Sequence, residues 1–261
     1  MKPEISTLQL KDAWQLPEIM KTYLPAEVYE LTTFSCSGYG KYVEVLLSMP
    51  VKWCESRFYG VYVDGKLVGF AEWRHLGDIL FLNNICILPQ RRGMGIGNIL
   101  FKKGLEYAKR YGISAVCLDV FNWNIQAQTW YQEMGFQVMH ETSWKVGENI
   151  PRNDAENSRE LILREYPQAE AAHLLYGFSA FSVKTKQSDY TIGRIKDSYF
   201  RLADISAITD RNLLQGLYRI DPKRSVLVFC PNDKKNNSSF LRTVTGSLRM
   251  KLLINNNLRI S

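Results

Sequence analysis

Apolar and polar positions change period several times along the first two-thirds of the chain, and the changes predict a mixture of strands and helices. Residues 58–74 carry aromatic and β-branched side chains on both sides of Asp64-Gly65, a sequence typical of a β-hairpin. Residues 96–111 place their apolar side chains on one helical face, and Gly112 is suited to end that helix. The other apolar runs predict strands at 4–10, 78–88, 114–120, 136–146 and 159–166, and helices at 12–24, 39–49 and 124–134. The predicted order is β-α-α-β-β-β-α-β-α-β-β.

A second pattern begins after residue 166. Apolar runs there predict strands at 178–185, 190–203, 225–230 and 241–254 and a helix at 206–220. These elements form a small β-β-α-β-β module, and no internal repeat is evident in the sequence. We therefore predict two domains, 1–166 and 167–261.

The charge of the chain is concentrated in this second part. The formal net charge of +7 divides into −1 for residues 1–166 and +8 for residues 167–261. A basic module is compatible with an anionic partner, but an ordinary solvated surface explains the same charge. No recognised nucleic-acid-binding motif accompanies it, so a nucleic-acid partner is not favoured.

Several other classes of protein are disfavoured by the composition. No run of 18 apolar residues exists to cross a membrane, and the N-terminus carries charges where a signal peptide needs apolar residues. The five cysteines are widely spaced, without a C-x-x-C pair, which indicates free thiols in a reducing, cytoplasmic compartment. The three histidines lack partners at metal-ligand spacing, so we expect no metal site.

A glycine-rich turn joins the strand ending near residue 88 to the helix at 96–111. Arg92, Gly95 and Gly97 form R-x-x-G-x-G, and Gly93 adds a third glycine. Glycines let a turn approach a ligand closely, and the start of a helix offers unpaired N–H groups to an anion. This chemistry suits a pyrophosphate. A Walker A motif is excluded because no Gly-Lys-Ser/Thr follows, and the surrounding hairpins disfavour a dinucleotide fold.

Two motifs at this point resemble those of the GNAT superfamily of N-acetyltransferases. Residues 87–97 fit I-x-P-x-x-R-G-x-G-x-G, its acetyl-CoA signature, and residues 124–136 fit N-x-x-A-x-x-x-Y-x-x-x-G-F. The resemblance covers about residues 1–166. It implies an α+β fold with a mixed, mostly antiparallel sheet flanked by helices, to which the small β-β-α-β-β module is added. It also implies acetyl-CoA as acyl donor, contacted by Cys86, Ile87, Arg92, Gly93, Met94, Gly95, Ile96, Gly97 and Asn124.

Acetyl transfer to an amine needs a proton acceptor for the amine and a proton donor for the leaving thiolate. Tyr131, inside the second motif, is the candidate acid, and Asp119 and Glu72 are rival candidate bases. Each has a structural alternative: a tyrosine that packs the helix to the sheet, or a carboxylate that faces solvent. Asn124 could cap a helix, contact the pantetheine arm, or do both.

Neighbouring side chains have less specific roles. Asn83 and Asn84 could order a water or bind substrate. Cys86 and Cys117 are expected to be small buried hydrophobes. Four aromatic residues could line an acceptor pocket or pack in the core: Trp53, Tyr59, Trp73 and Trp123.

The favoured function is direct acetyl transfer from acetyl-CoA to a primary amine on a small molecule or peptide, without metal or covalent intermediate. The alternatives are a CoA-binding sensor that has lost catalysis and a nucleic-acid-associated protein that uses the basic module. Residues 167–261 could extend the sheet, cover the acceptor side, or pair two subunits into a homodimer.

Overall fold

The computed structural model describes residues 2–148, 150, 161–231 and 240–254. Its described residues form two compact units, each built from separate stretches of chain. Unit 1 draws on residues 1–25, 40–140 and 247–261, and unit 2 draws on residues 26–39 and 141–246. The domain boundary expected at residue 166 does not match this division, because residues 141–246 belong to unit 2 and residues 247–261 belong to unit 1.

The described elements include twelve strands and seven α-helices. The strands are β1 Glu4–Thr7, β2 Ser56–Val63, β3 Lys66–Leu76, β4 Ile79–Ile87, β5 Ala115–Phe121, β6 Gln137–Gly147, β7 Ile162–Arg164, β8 Phe178–Lys184, β9 Asp189–Ile195, β10 Tyr199–Leu202, β11 Ser225–Pro231 and β12 Leu241–Leu253. The helices are α1 Leu16–Lys21, α2 Ala26–Glu30, α3 Tyr39–Ser48, α4 Ile96–Arg110, α5 Ile125–Glu133, α6 Tyr166–Tyr176 and α7 Arg211–Ile220. In the described part of the chain, no helix is long and apolar enough to cross a membrane.

The sheet of unit 1 has the strand order β1-β2-β3-β4-β5-β12. Its neighbouring strands are antiparallel except β4 and β5, which are parallel and are connected through α4. The predicted mixed, mostly antiparallel sheet with flanking helices is therefore confirmed. Its last strand, β12, supplies Met250 and Leu252 to the buried core that also contains Leu100 and Phe101 of α4.

The hairpin of β2 and β3 forms where the sequence predicted it. Asp64 and Gly65 both have positive φ angles, 53° and 72°, and Val63 pairs with Lys66 across the turn. A two-residue hairpin turn of this kind requires positive φ at both positions, which aspartate and glycine tolerate. The turn places β3 beside β4, and these two strands carry much of the site described below.

Within unit 2 the strands follow one another in the order β7-β8-β9-β10-β11-β6. Again one pair of strands, β10 and β11, is parallel and connected through a helix, α7, while the others are antiparallel. Both units thus contain a strand, then a helix (two helices in unit 1 and one in unit 2), then three antiparallel strands, a helix and a parallel strand. Inspection of the sequence did not detect this repeat.

Several sequence expectations need correction. The strand expected at 159–166 to close the first domain is β7, which pairs with β8 inside unit 2; residues 159 and 160 lie outside the described residues. The single strand expected at 190–203 is β9 and β10, separated by a turn in which Lys196 has a φ of 48°. Helix α6 was missed, so the expected β-β-α-β-β order is wrong. Residues 10–15 form a 3-10 turn before α1, which shortens the helix expected at 12–24.

Candidate functional site

A cleft opens in unit 1 where β4 and β5 cease to pair. Their parallel pairing runs from Ile79 opposite Ala115 to Leu82 opposite Leu118, and no pairing beyond that point exists among the described residues. Both strands continue, β4 as far as Ile87. A cavity of about 820 Å³ lies between them and is walled by β4, the 91–97 turn, the start of α4, the end of β5, and α5. Its volume is in the range of small-molecule sites.

The glycine-rich turn forms one end of this cavity. Gly93 and Gly95 have φ angles of 74° and 75°, in the left-handed region, and no neighbouring atom lies within 4 Å of the position that a Cβ would take. Gly95 is the N-cap residue of α4 and provides no side-chain hydrogen bond to its first turn. The first N–H groups of α4 are therefore left for a ligand, as an anion site requires.

Two arginines accompany the turn. Arg91 and Arg92 both line the cavity, and Arg92 Nε donates to the carbonyl oxygen of Ile87 at 3.1 Å. Most of the residues expected to contact the cofactor lie in the same wall: Cys86, Ile87, Arg92, Gly93, Gly95, Ile96, Gly97 and Asn124. Met94 does not belong to this wall; its side chain is exposed on the turn. The local motif thus forms an end of the cavity that carries positive charge and open backbone N–H groups.

Tyr131 reaches the cavity from α5. Asn124 caps this helix as predicted, because its Oδ1 accepts from the Ala127 backbone N–H at 3.2 Å. Tyr131 is buried and lines the cavity, and burial raises its pKa. Within the described residues, its hydroxyl makes no hydrogen bond. The site therefore holds a phenol that stays protonated at neutral pH and has its proton available.

A second phenol, that of Tyr23, lies in the same wall and was missed by sequence reasoning. Its hydroxyl accepts a hydrogen bond of 2.7 Å from Asn124 Nδ2, and burial raises the pKa of Tyr23 to about 12. Tyr23 follows α1 and is 101 positions from Asn124, so no local pattern indicates the contact. Both polar atoms of the Asn124 side chain therefore have protein partners, and its contact with a pantetheine arm remains a prediction.

Glu72 lies on β3, behind the cavity wall. Its carboxylate is buried and accepts four hydrogen bonds: from Ser56 Oγ at 3.3 Å, Arg74 Nε at 3.1 Å, Asn83 Nδ2 at 2.7 Å and Asn84 Nδ2 at 2.8 Å. Each oxygen thus has two donors, which leaves little room for a proton from substrate. This arrangement favours a positioning role for Glu72 over the predicted role of base.

Asp119, the rival candidate, does line the cavity. Its carboxylate is bound by both Nε and Nη2 of Arg249, the latter at 2.8 Å, and Arg249 stacks over Phe81 at 4.9 Å from the ring centre. The pairing raises the pKa of Arg249. Arg249 belongs to β12, which the sequence pattern predicts in a separate module, so no local signal connects the two residues.

The remaining candidates are the four aromatic residues and the two cysteines of the central strands. Trp73 is fully buried against α4, where a Cβ at Gly104 would come within 2.2 Å of its ring, and Trp53 is 70% exposed. Neither they nor Tyr59 and Trp123 belong to the cavity wall. Cys86 and Cys117 are buried free thiols as predicted, and burial raises the pKa of Cys86 to about 11. Among the described residues, no cluster of His, Cys, Asp and Glu is arranged to hold a metal ion.

Comparison with known proteins finds a family match over part of the chain. Residues 26–136 match the model of the acetyltransferase (GNAT) family. A thialysine N-epsilon-acetyltransferase from Bos taurus is 33% identical over 103 residues, which are 40% of this chain and 55% of that protein. A streptothricin acetyltransferase from Streptomyces lavendulae is 35% identical over 81 residues, 30% of this chain and 43% of that protein. The chain thus spans about half the length of these relatives.

Solved structures resemble the chain over nearly its whole length. A tandem GNAT protein from the clavulanic acid biosynthesis pathway covers 97% of the chain, and the chain covers 98% of it, with a TM-score of 0.70 at 13% identity. A GCN5-related N-acetyltransferase from Sphaerobacter thermophilus has a TM-score of 0.63 at 12% identity, and the match includes 96% of this chain and 95% of that protein. At such low identity the likeness shows the fold alone, and it extends through both units.

Proposed function

Since the chain carries a GNAT acetyltransferase domain, as its two motifs predicted, we propose that unit 1 transfers an acetyl group from acetyl-CoA to a primary amine. One observation carries this proposal: the cavity between the diverging strands has an uncapped helix N-terminus at one end and a protonated phenol, Tyr131, in its wall. The first feature suits the pyrophosphate of CoA, and the second suits the thiolate that leaves.

The turn at 91–97 would hold the donor. The first N–H groups of α4 can donate to the phosphate oxygens, and the side chains of Arg91 and Arg92 can balance their charge. The left-handed Gly93 and Gly95 fit this role because the space beside each is open. Acetyl-CoA then serves as acyl donor, and the chain positions its thioester between β4 and β5.

The chemistry is a direct transfer. The amine nitrogen forms a bond to the acetyl carbon, the carbon–sulfur bond breaks, and the sulfur leaves with the electron pair of that bond. Tyr131 donates its proton to the sulfur and regains one from solvent. The proton released by the amine passes to water in the cavity. No covalent bond to the protein and no metal takes part in this scheme.

The geometry of the cavity supports one of the two candidate bases over the other. Asp119 lines the cavity, whereas Glu72 lies behind its wall, so Asp119 is better placed to accept the amine proton through a water. Arg249 already binds both oxygens of Asp119, and the water would have to use a remaining lone pair. Both carboxylates thus already have hydrogen-bond partners in the chain. This favours a second candidate function, which is CoA binding without turnover.

Thiol release from acetyl-CoA separates the two functions. The names of the relatives suggest thialysine and streptothricin as first acceptors in a wider panel of primary amines. We expect release that depends on the amine and yields one acetylated amine per thiol. Acetyl-CoA binding without amine-dependent release from any acceptor would instead support the binding protein.

A further inference from the structure

Two adjacent asparagines on β4 both turn towards Glu72. Glu72 pairs with Asn84 and Trp73 pairs with Leu82, so Asn83 is an extra residue at this point of the ladder. Adjacent side chains of a regular strand point to opposite faces, whereas a bulge of this kind lets two successive residues face the same partner. The bulge explains how Asn83 and Asn84 both reach one carboxylate.

The carboxylate fixes the orientation of both amides. An ionised carboxylate only accepts hydrogen bonds, so each asparagine must present its NH₂ group to Glu72. The two donor distances, 2.7 and 2.8 Å, agree with this assignment. Each Oδ1 must then point away from Glu72. In the part of the chain that the structure describes, no donor reaches either oxygen, and neither is sealed off from solvent.

These oxygens lie at the narrow end of the cleft. Asn83 and Asn84 come directly after Leu82, the last residue of β4 that pairs with β5, and both line the cavity. Asp119 holds the corresponding place on β5, directly after Leu118. Acceptor oxygens therefore gather at this end, whereas Arg91, Arg92 and the N-terminus of α4 lie at the phosphate end.

We propose that the Oδ1 atoms of Asn83 and Asn84 bind the N–H groups of the acceptor amine and that Glu72 is the positioning residue that holds them. The inference rests on the proposed function and deepens it by naming a substrate class. Two fixed hydrogen-bond acceptors without a neighbouring donor suit a primary amine, protonated or neutral, and exclude a carboxylate. Glu72 itself is paired with Arg74, so it is the partial negative charge of the two amide oxygens that favours acceptors cationic near the reacting nitrogen.

Acceptor kinetics test the two asparagines. The probes are lysine methyl ester, spermidine and thialysine, with glutamate as an anionic amine for comparison. Asn83→Ala and Asn84→Ala should each raise the KM for the cationic probes about 10- to 100-fold, the usual range for a lost hydrogen bond to a charged group. The dissociation constant of acetyl-CoA should change less than about twofold. An unchanged KM in both variants, or a wild-type preference for glutamate, would overturn the inference.

Glu72→Gln tests the positioning role. The glutamine amide has one neutral oxygen in place of two charged ones, and its NH₂ group must face either the asparagine amides or Arg74 Nε, so the asparagines are held less firmly. The KM for the acceptor should therefore rise while the acetyl-CoA constant stays the same. In a chain that already lacks both asparagine amides, Glu72→Gln should add little to the KM, because Glu72 acts through them. A full additional increase would show that Glu72 acts in another way. Glu106→Gln, on the exposed face of α4, is the matched control.

Binding measurements keep this test separate from that of the proposed function. If the wild-type chain binds acetyl-CoA but releases no thiol, the proposed function fails. Titration of the three cationic probes into the CoA-saturated chain then tests the inference alone. We expect saturable binding that Asn83→Ala and Asn84→Ala weaken; no binding to the wild-type chain, or equal binding to the variants, would overturn it.

Discussion

The two units contain the same strand-helix-strand connection with different helix N-termini. In unit 1, α4 follows β4 and begins at Gly95, which has a φ of 75° and offers no side-chain cap. In unit 2, α7 follows β10 and begins at Asp210, whose Oδ1 accepts from the backbone N–H groups of Asn212 and Leu213 at 3.0 and 3.1 Å. The first arrangement leaves helix amides open to an anion, and the second satisfies them with the chain's own carboxylate.

The parallel strands beside these helices also differ, because they separate in unit 1 and stay paired in unit 2. In unit 1, β4 continues to Ile87 beyond its last pair with β5, at Leu82, and the cavity opens there. In unit 2, β10 pairs with β11 along its whole length, from Tyr199 to Leu202. Asp210 is fully buried, and its second oxygen accepts from Thr185 Oγ1 at 2.7 Å. We therefore expect one acetyl-CoA site in the chain, in unit 1.

The largest effect should come from Gly95→Glu. The variant places a side chain and a negative charge where the phosphates would bind, so acetyl-CoA should no longer raise the melting temperature. Gly77→Glu is the matched control, since Gly77 also has a positive φ, 64°, with open space beside it, but lies in the turn between β3 and β4. Equal stabilisation of both folded variants by acetyl-CoA would contradict the placement.

Tyr131→Phe removes one hydroxyl and keeps the ring. We expect kcat to fall about 10²- to 10⁴-fold, the usual contribution of a general acid, with little change in acetyl-CoA affinity. Because burial raises the pKa of Tyr131, the phenol should stay protonated through pH 10, and no loss of wild-type activity below that pH should come from its ionisation. Tyr111→Phe, at the half-exposed C-cap of α4, is the control. Normal turnover in Tyr131→Phe, with chemistry rate-limiting, would refute the assignment.

The C-terminal strand should prove necessary for unit 1. Met250 of β12 is fully buried in the unit 1 core, so Met250→Ala should lower the free energy of unfolding by about 2–5 kcal/mol. A chain that ends at residue 166 lacks β12 and exposes the edge of β5, and we expect it to be insoluble. Met139→Ala, at a position 56% exposed, should change stability little in chemical denaturation. A soluble 1–166 chain that binds acetyl-CoA would show that β12 is dispensable.

The smallest effect should come from the capped helix of unit 2. Asp210→Ala removes the cap and should lower stability by about 1–2 kcal/mol, while Asp210→Asn keeps an acceptor and should lose less. Neither change should alter the dissociation constant of acetyl-CoA, measured by calorimetry. A change of tenfold or more would mean that the α7 terminus contributes to the site.

Local signals explain what the sequence could predict. The Asp64-Gly65 hairpin, the Asn124 cap and the glycine-rich turn each depend on residues a few positions apart, and the structure contains all three. Contacts between distant residues gave no such signal. Arg249 meets Asp119 across 130 positions, and hydrophobic periodicity identifies β12 as a strand without identifying its partner. The Glu72 cluster depends on a bulge, which alternation does not reveal.

The stoichiometry of acetyl-CoA binding tests the contrast between the units most directly. Isothermal titration of the full chain should give one acetyl-CoA per chain for the wild type and for Asp210→Asn, and none for Gly95→Glu. Two molecules per chain, or one molecule retained by a folded Gly95→Glu variant, would contradict the assignment of the site to the open helix terminus of unit 1.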